Sequence, residues 1–233
     1  RAKGVPANAV DSMIAAFVAR GILAERGIRT LCQLQNAQGG IEFLMGRETH
    51  TFRSADGEHW VDWGQGPAAN PLPRVVALTS INHRSCLCTE NGPVLRAVGD
   101  ASWHSDPQWS VWPSDQTPLS MAVIAGAQPA LLVGTGLGVH APAGGWDHWD
   151  GAGALLNGPA WQLAVAEVPR AGGSAVQCVC AALLTGVSCR RTDNSQLGWI
   201  SPGQVPNALI SAIAAHGPQV YAGTLADGIW RQE

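Results

Sequence analysis

The chain has 233 residues, of which 46% are apolar and only 13% charged, and its net charge is −3 at neutral pH. That apolar content can fill one sizeable core, and the absence of a basic stripe excludes a nucleic-acid binder that works by neutralising phosphates. No stretch reaches the roughly 18 uninterrupted apolar residues of a membrane-spanning helix; the longest, Met13 to Ala24, is broken by Arg20 and Gly21 and lacks the basic lead-in of a signal peptide.

The chain begins at Arg1, as a processed chain, an excised domain or a partial sequence does. Residues 1–26 admit three readings. Ala9 to Leu23 forms an amphipathic helix with Val10, Ile14, Phe17, Val18 and Leu23 on one side, or strands that complete the last repeat, or a degenerate sixth repeat. Strand is preferred to helix because Val5 to Ala16 (VPANAVDSMIAA) resembles Val205 to Ala215 (VPNALISAIAA). The first full unit spans 27–73, with strands expected over Ile28 to Leu34, Gly40 to Gly46, Thr49 to Ser54 and Trp60 to Trp63. The second, 74–117, has strands over Arg74 to Ser80, Ser85 to Thr89, Val94 to Val98 and Trp103 to Trp112. Units over 118–159, 160–205 and 206–233 follow, and the last stops shortly after its third strand. Four of the units open on an aliphatic run: Val75 to Leu78, Met121 to Ile124, Leu163 to Ala166 and Leu209 to Ile213. Such runs, bounded by Gly and Pro, suit strands buried on both faces.

Each of the last four units repeats one phrase, an apolar strand entering a Gly hairpin and a second strand. The copies are Cys86 to Leu95, Leu131 to His140, Val179 to Ser188 and Val220 to Trp230. Their glycines, Gly92, Gly138, Gly186 and Gly228, lie 46, 48 and 42 residues apart. That interval, filled with short strands and turns, predicts a single all-β domain, a β-propeller of about five four-stranded blades whose ring is closed by the N- and C-terminal segments.

Ser54-Ala55-Asp56-Gly57-Glu58-His59-Trp60 resembles an Asp box, the turn found in BNR, sialidase-like and sortilin-like propeller repeats. The resemblance implies a structural turn at the blade periphery built on Ser54, Asp56, Gly57 and Trp60, with the Ser and Asp side chains bonding nearby backbone N–H groups, Gly taking a positive φ and Trp wedging into the packing. Residues 191–194 ahead of Trp199, and 141–146, look like eroded copies. Leu132 to His140 and Tyr221 to Trp230 also resemble the wording of such repeats. The likeness spans most of 28–233. It implies fold and not catalysis, because neither an arginine triad nor a Tyr nucleophile can be carried onto matching positions; the one tyrosine, Tyr221, falls inside an expected strand.

Two Cys-x-Cys pairs, Cys86 with Cys88 and Cys178 with Cys180, sit in the second strands of non-adjacent blades, so their sulfurs cannot converge on one tetrahedral metal. Buried thiols are the simpler account, and a bridge between Cys180 and Cys189 across one hairpin is the exception to watch. This usage leans towards a reducing, cytoplasmic compartment. Of ten tryptophans, Trp60, Trp103, Trp146 and Trp199 recur at one point of successive units and read as wedges. Trp63, Trp109, Trp112 and Trp149 fall on outer strands among polar residues. Asp147 and His148, beside Trp149, form the densest polar aromatic patch. Trp109, Trp149, Asp147 and His148 are therefore the candidate ligand-contacting residues, against a default of a solvated outer strand.

No cofactor or metal is called for. No Gly-x-Ser-x-Gly, phosphate loop or His-Glu-x-x-His helix occurs, and no carboxylate pair is placed at a glycosidase separation. The leading expectation is a non-catalytic propeller that recognises a protein partner through rim loops, at Gly64 to Pro73, Trp112 to Leu119, Gly151 to Pro159 and Ser201 to Asn207. The alternative is a lectin-type propeller that binds a glycan, and a glycoside hydrolase comes third.

Overall fold

The computed structural model describes residues 30–35, 40–47, 50–65, 75–81, 84–89, 91–97, 103–105, 117–126, 129–141, 159–183, 186–193, 199–204, 209–224 and 228–232. Among them the chain is all-β. Five small antiparallel sheets follow one another, each a meander in which consecutive strands are neighbours. The first comprises β1 (Thr30–Gln35), β2 (Ile41–Arg47), β3 (His50–Ser54) and β4 (Val61–Gln65). The second is β5 (Val75–Ile81), β6 (Arg84–Thr89), β7 (Gly92–Ala97) and β8 (His104–Ser105). The third has three described strands, β9 (Pro118–Ile124), β10 (Ala130–Thr135) and β11 (Gly138–His140). The fourth is β12 (Gln162–Val168), β13 (Val176–Ala182), β14 (Gly186–Arg191) and β15 (Ile200–Gln204), and the fifth is β16 (Ile210–His216), β17 (Gln219–Thr224) and β18 (Ile229–Gln232). The expected strands are displaced by a residue or two at most ends. The outer strand expected over Trp103 to Trp112 is described only as β8, and its remainder, with residues 1–26, lies outside the described residues.

The chain divides into two compact units, Arg1–Trp112 and Pro113–Glu233. Within each, the core lies between successive sheets. In the first unit Leu44, Val75, Leu78, Leu87, Val94 and Trp103 pack together. In the second, Ala122, Ile124, Leu132, Leu163, Val179 and Trp199 join the third sheet to the fourth, and Ala166, Cys180, Cys189, Ile210, Ile213 and Val220 join the fourth to the fifth. Two glycines permit this approach. A Cβ on Gly46 would lie 2.5 Å from Val75 Cγ1 and 2.7 Å from Thr30 Cγ2, and one on Gly134 would lie 2.5 Å from the Ala160 carbonyl.

Burial corrects one expectation. The aliphatic opening runs are not the doubly buried strands: β9 alternates buried with half-buried residues, and β16 exposes Ser211, Ala212 and Ala214. The strands after them are the covered ones, with five consecutive buried residues in both β6 and β10. Among the described strands the opening strand is the edge of its sheet, whereas the second strand has a ladder neighbour on each side.

The repeated phrase is the hairpin between the second and third strands. Thr89 Oγ1 donates to the Gly92 carbonyl at 3.1 Å and accepts from the Asn91 N–H at 3.1 Å; Thr135 does the same with Gly138 and Leu137, both at 3.1 Å. Thr224 Oγ1 donates to the Gly228 carbonyl at 3.0 Å. Gly92, Gly138 and Gly228 have φ of 103°, 136° and 80°, a region that glycine enters without a Cβ penalty. In the fourth sheet the Leu183 N–H closes on the Gly186 carbonyl at 2.8 Å.

Cys180 and Cys189 stand directly opposite each other on β13 and β14 and are joined by a disulfide. The reading of Cys180 as a buried thiol is thereby corrected, and the Cys-based lean towards a reducing compartment loses its ground. Cys86 and Cys88 are buried thiols and Cys178 is a half-buried one. Burial pushes the thiols of Cys88 and Cys178 up from the usual range.

Candidate functional site

The first sheet builds the candidate site. β3 ends at Ser54, and the chain turns tightly before β4 begins at Val61. The buried Ser54 hydroxyl accepts from the N–H groups of Asp56 (3.3 Å) and Gly57 (2.8 Å) and donates to Asp56 Oδ1 at 2.9 Å. Asp56 Oδ1 also accepts from the N–H groups of Glu58 (2.8 Å) and His59 (2.7 Å), and Asp56 Oδ2 meets His59 Nδ1 at 2.7 Å. Gly57 takes φ 78°, and the buried Trp60 donates from Nε1 to the Gly57 carbonyl at 3.0 Å. The backbone bond from His59, its ring and the Glu58 N–H hold the Asp56 carboxyl well below the usual carboxylate range. The network is not buried at Asp56. That side chain is half exposed, because the turn folds Ser54, Gly57 and Trp60 inward and leaves the carboxylate outside to collect the amides.

Beside this turn opens a cleft of about 440 Å³, lined by Glu42 and Arg53 together with Val61 and Trp63. Ser54, Ala55, Asp56 and His59 of the turn complete the lining. Register explains the grouping. Arg53 is opposite Leu44 on β2 and opposite Val61 on β4, so it shares a face with Val61 and with Glu42, two residues from Leu44, while Trp63 falls where the register shifts, between Asp62 opposite Phe52 and Gly64 opposite Thr51. Arg53 forks onto Glu42 through Nε to Oε2 at 2.7 Å and Nη2 to Oε1 at 2.5 Å. Its Cζ lies 5.6 Å from the Trp63 ring centroid.

Trp63 is also tied to the second sheet. Arg96 of β7 lies with its Cζ 4.3 Å from the same ring and donates from Nη1 to the Trp63 carbonyl, while Trp103 meets Trp63 edge to face at 5.4 Å and 72°. Such cation–π contacts contribute about 0.5–2 kcal/mol, the upper end when desolvated.

The structure thus brings together Ser54, Asp56, Gly57 and Trp60. Trp109, Asp147, His148 and Trp149 lie outside the described residues, as do Trp112 and Trp146. Trp63 does line a cleft. The sequence reading missed Glu42, Arg53, Val61 and Arg96 as its companions. Only the register of β2 on β3 and β3 on β4 could have found the first three, since nothing in the local wording marks them. Of the eroded turns, 191–193 is described and differs: Asp193 is gripped by the Arg191 fork at 3.0 and 2.7 Å, and Thr192 bonds the Gln177 carbonyl through both N–H and Oγ1. Tyr221 lies in β17 and donates to Gln219 Oε1 at 2.6 Å. Among the described residues no group of three or more His, Cys, Asp or Glu side chains is placed to hold a metal ion, and no helix is long and apolar enough to cross a membrane.

No family model and no curated protein matches the chain. Solved structures do. The extracellular domain of the hybrid two-component system BT4673 from B. thetaiotaomicron aligns at TM-score 0.51 and 15% identity over 91% of this chain and 32% of that one. BBS1N, solved in complex with ARL6DN, aligns at TM-score 0.51 and 11% identity over 88% of this chain and 62% of that one. The chain spans about a third of the first structure's length and under two thirds of the second's. At these identities the likeness speaks for fold alone, and the fold is β-propeller-like.

Proposed function

We propose that this chain is a non-catalytic binding domain, a single propeller over 1–233 that recognises a protein partner through the connections following its outer strands, as part of a larger complex. The observation that carries binding over catalysis is the state of the two cleft carboxylates. Glu42 is held by the Arg53 fork, and Asp56 is held by two amides, a hydroxyl and an imidazole, ionised well below the usual range. A general acid needs the opposite environment, one that keeps the proton on at working pH. The likeness to BBS1N, whose structure is a complex with ARL6DN, agrees with a recognition role.

Two finer readings belong to this proposal. The bonding around Ser54 and Asp56 supports assigning 54–60 to the Asp-box type of repeat. The ring is closed by residues 1–26 completing the fifth sheet, in which β18 stands as an edge among the described strands.

The test is affinity capture with the whole chain as bait, followed by the paired replacement Ala68→Glu and Leu72→Glu in the connection after β4. Weaker capture of the same partner at an unchanged melting temperature is expected. Normal capture by that variant, with loss on Trp109→Ala or Trp149→Ala, would move the interface from the rim to the blade edge.

A further inference from the structure

The cleft of the first sheet has chemistry that protein docking through the connections does not use. Val61 is 68% exposed and lies beside the half-buried Trp63, giving an apolar strip. Polar groups flank that strip at fixed positions. Arg53 spends two of its five N–H groups on Glu42. Asp56 Oδ2 accepts from one partner, the His59 ring, and that ring is 73% exposed with only Nδ1 engaged.

The balance of charge decides what fits. Arg53 and Glu42 neutralise each other, and the Asp56 carboxylate is met by backbone dipoles and an imidazole. An anion would meet the Asp56 charge and would have to take Arg53 from Glu42, and a cation would gain from the half-exposed Asp56 only a solvated ion pair, which contributes little. A neutral polyol displaces no internal partner. Its hydroxyls donate to the carboxylates and accept from guanidinium and imidazole in charge-assisted bonds, while a C–H face lies on the aromatic and aliphatic strip. The volume of about 440 Å³ falls inside the usual range for small-molecule sites, roughly 300–1,000 Å³.

We infer that this cleft, formed by Arg53, Asp56, His59, Val61 and Trp63, binds a neutral saccharide of one or two rings. The site uses no residue of the connections assigned to the protein partner, so either reading fails without the other.

The test titrates the full chain with glucose, galactose, mannose, N-acetylglucosamine, lactose and cellobiose, followed by saturation-transfer NMR and tryptophan fluorescence. At least one of these sugars gives a saturable response in the millimolar range. Val61→Arg, at an exposed position, abolishes it at an unchanged melting temperature. His59→Ala, equally exposed, weakens it about 3- to 10-fold, the loss of one hydrogen bond to a ligand. The inference is overturned if no sugar saturates, if saturation survives Val61→Arg, or if glucuronate or N-acetyl-arginine amide binds more tightly than every neutral sugar. Loss of protein capture on Val61→Arg without any sugar response would make the cleft a peptide site instead.

Discussion

The hydroxyl of Ser54 accepts from two amides at a buried position, whereas the Asp56 carboxylate performs a similar service in water. The two residues should therefore respond differently to substitution. Ser54→Ala strands two N–H groups inside the turn and should cost about 1–3 kcal/mol, the penalty for unsatisfied buried donors, read from denaturant unfolding. Asp56→Asn should lower the melting temperature at neutral pH without removing partner capture. Its deficit has a pH signature. A carboxyl held below its ordinary value contributes stability in full above the ordinary carboxyl range, near pH 4, and loses it as pH falls through the lowered folded value. Variant and parent melts should thus converge as pH drops below about 4; a constant gap would show that the Asp56 charge contributes nothing. Ser54, Asp56, Gly57 and Trp60 were legible in the sequence because their partners lie within a few residues. The Glu42–Arg53 pair and the Arg96–Trp63 stack span 11 and 33 residues and depend on strand register and sheet packing, which composition does not carry.

At the scale of elements, the glycine interval located the hairpins, but the Thr that closes three of them passed unread. Its hydroxyl supplies the bond that fixes the turn, so Thr89, Thr135 and Thr224 belong to the repeat as much as the glycines do. The opening aliphatic runs were read as doubly buried because apolar runs look alike on edge and interior strands; only the ladder neighbours distinguish them. Two consequences are measurable. Gly134→Ala would drive a methyl to 2.5 Å from the backbone carbonyl of Ala160, an atom that cannot swing aside, and should destabilise by about 1–3 kcal/mol, as overpacking does. An unchanged melt would mean that the third and fourth sheets can separate slightly without loss. The Cys180–Cys189 disulfide closes a short loop, nine residues apart in sequence. Replacing both cysteines by Ala should cost about 2–3 kcal/mol on the chain-entropy account. The reducing agent dithiothreitol should shift the parent melt in the same direction and leave the double variant where it is.

The sheets repeat, and the interval between their glycines was enough to read an all-β chain of successive small antiparallel sheets, each of which needs a neighbour to bury its strands. How such an array ends is less legible, since the terminal units need not follow the repeat's wording. Among the described strands of the fifth sheet β18 has β17 on one side only, and it exposes Ile229 and Trp230. An open strand with large apolar residues is a template for pairing with another chain. If residues 1–26 cover that edge, as the closure proposal holds, then a chain spanning 27–233 should melt several degrees lower and self-associate as its concentration rises. Replacing Ile229 by Lys in the shortened chain should suppress the association without restoring the melting temperature, because a charge blocks edge pairing but supplies no strand. Differential scanning fluorimetry and light scattering across a concentration series measure both effects. A shortened chain that melts with the parent and remains a monomer would show that the fifth sheet is complete without residues 1–26, and the ring would have to close by another route.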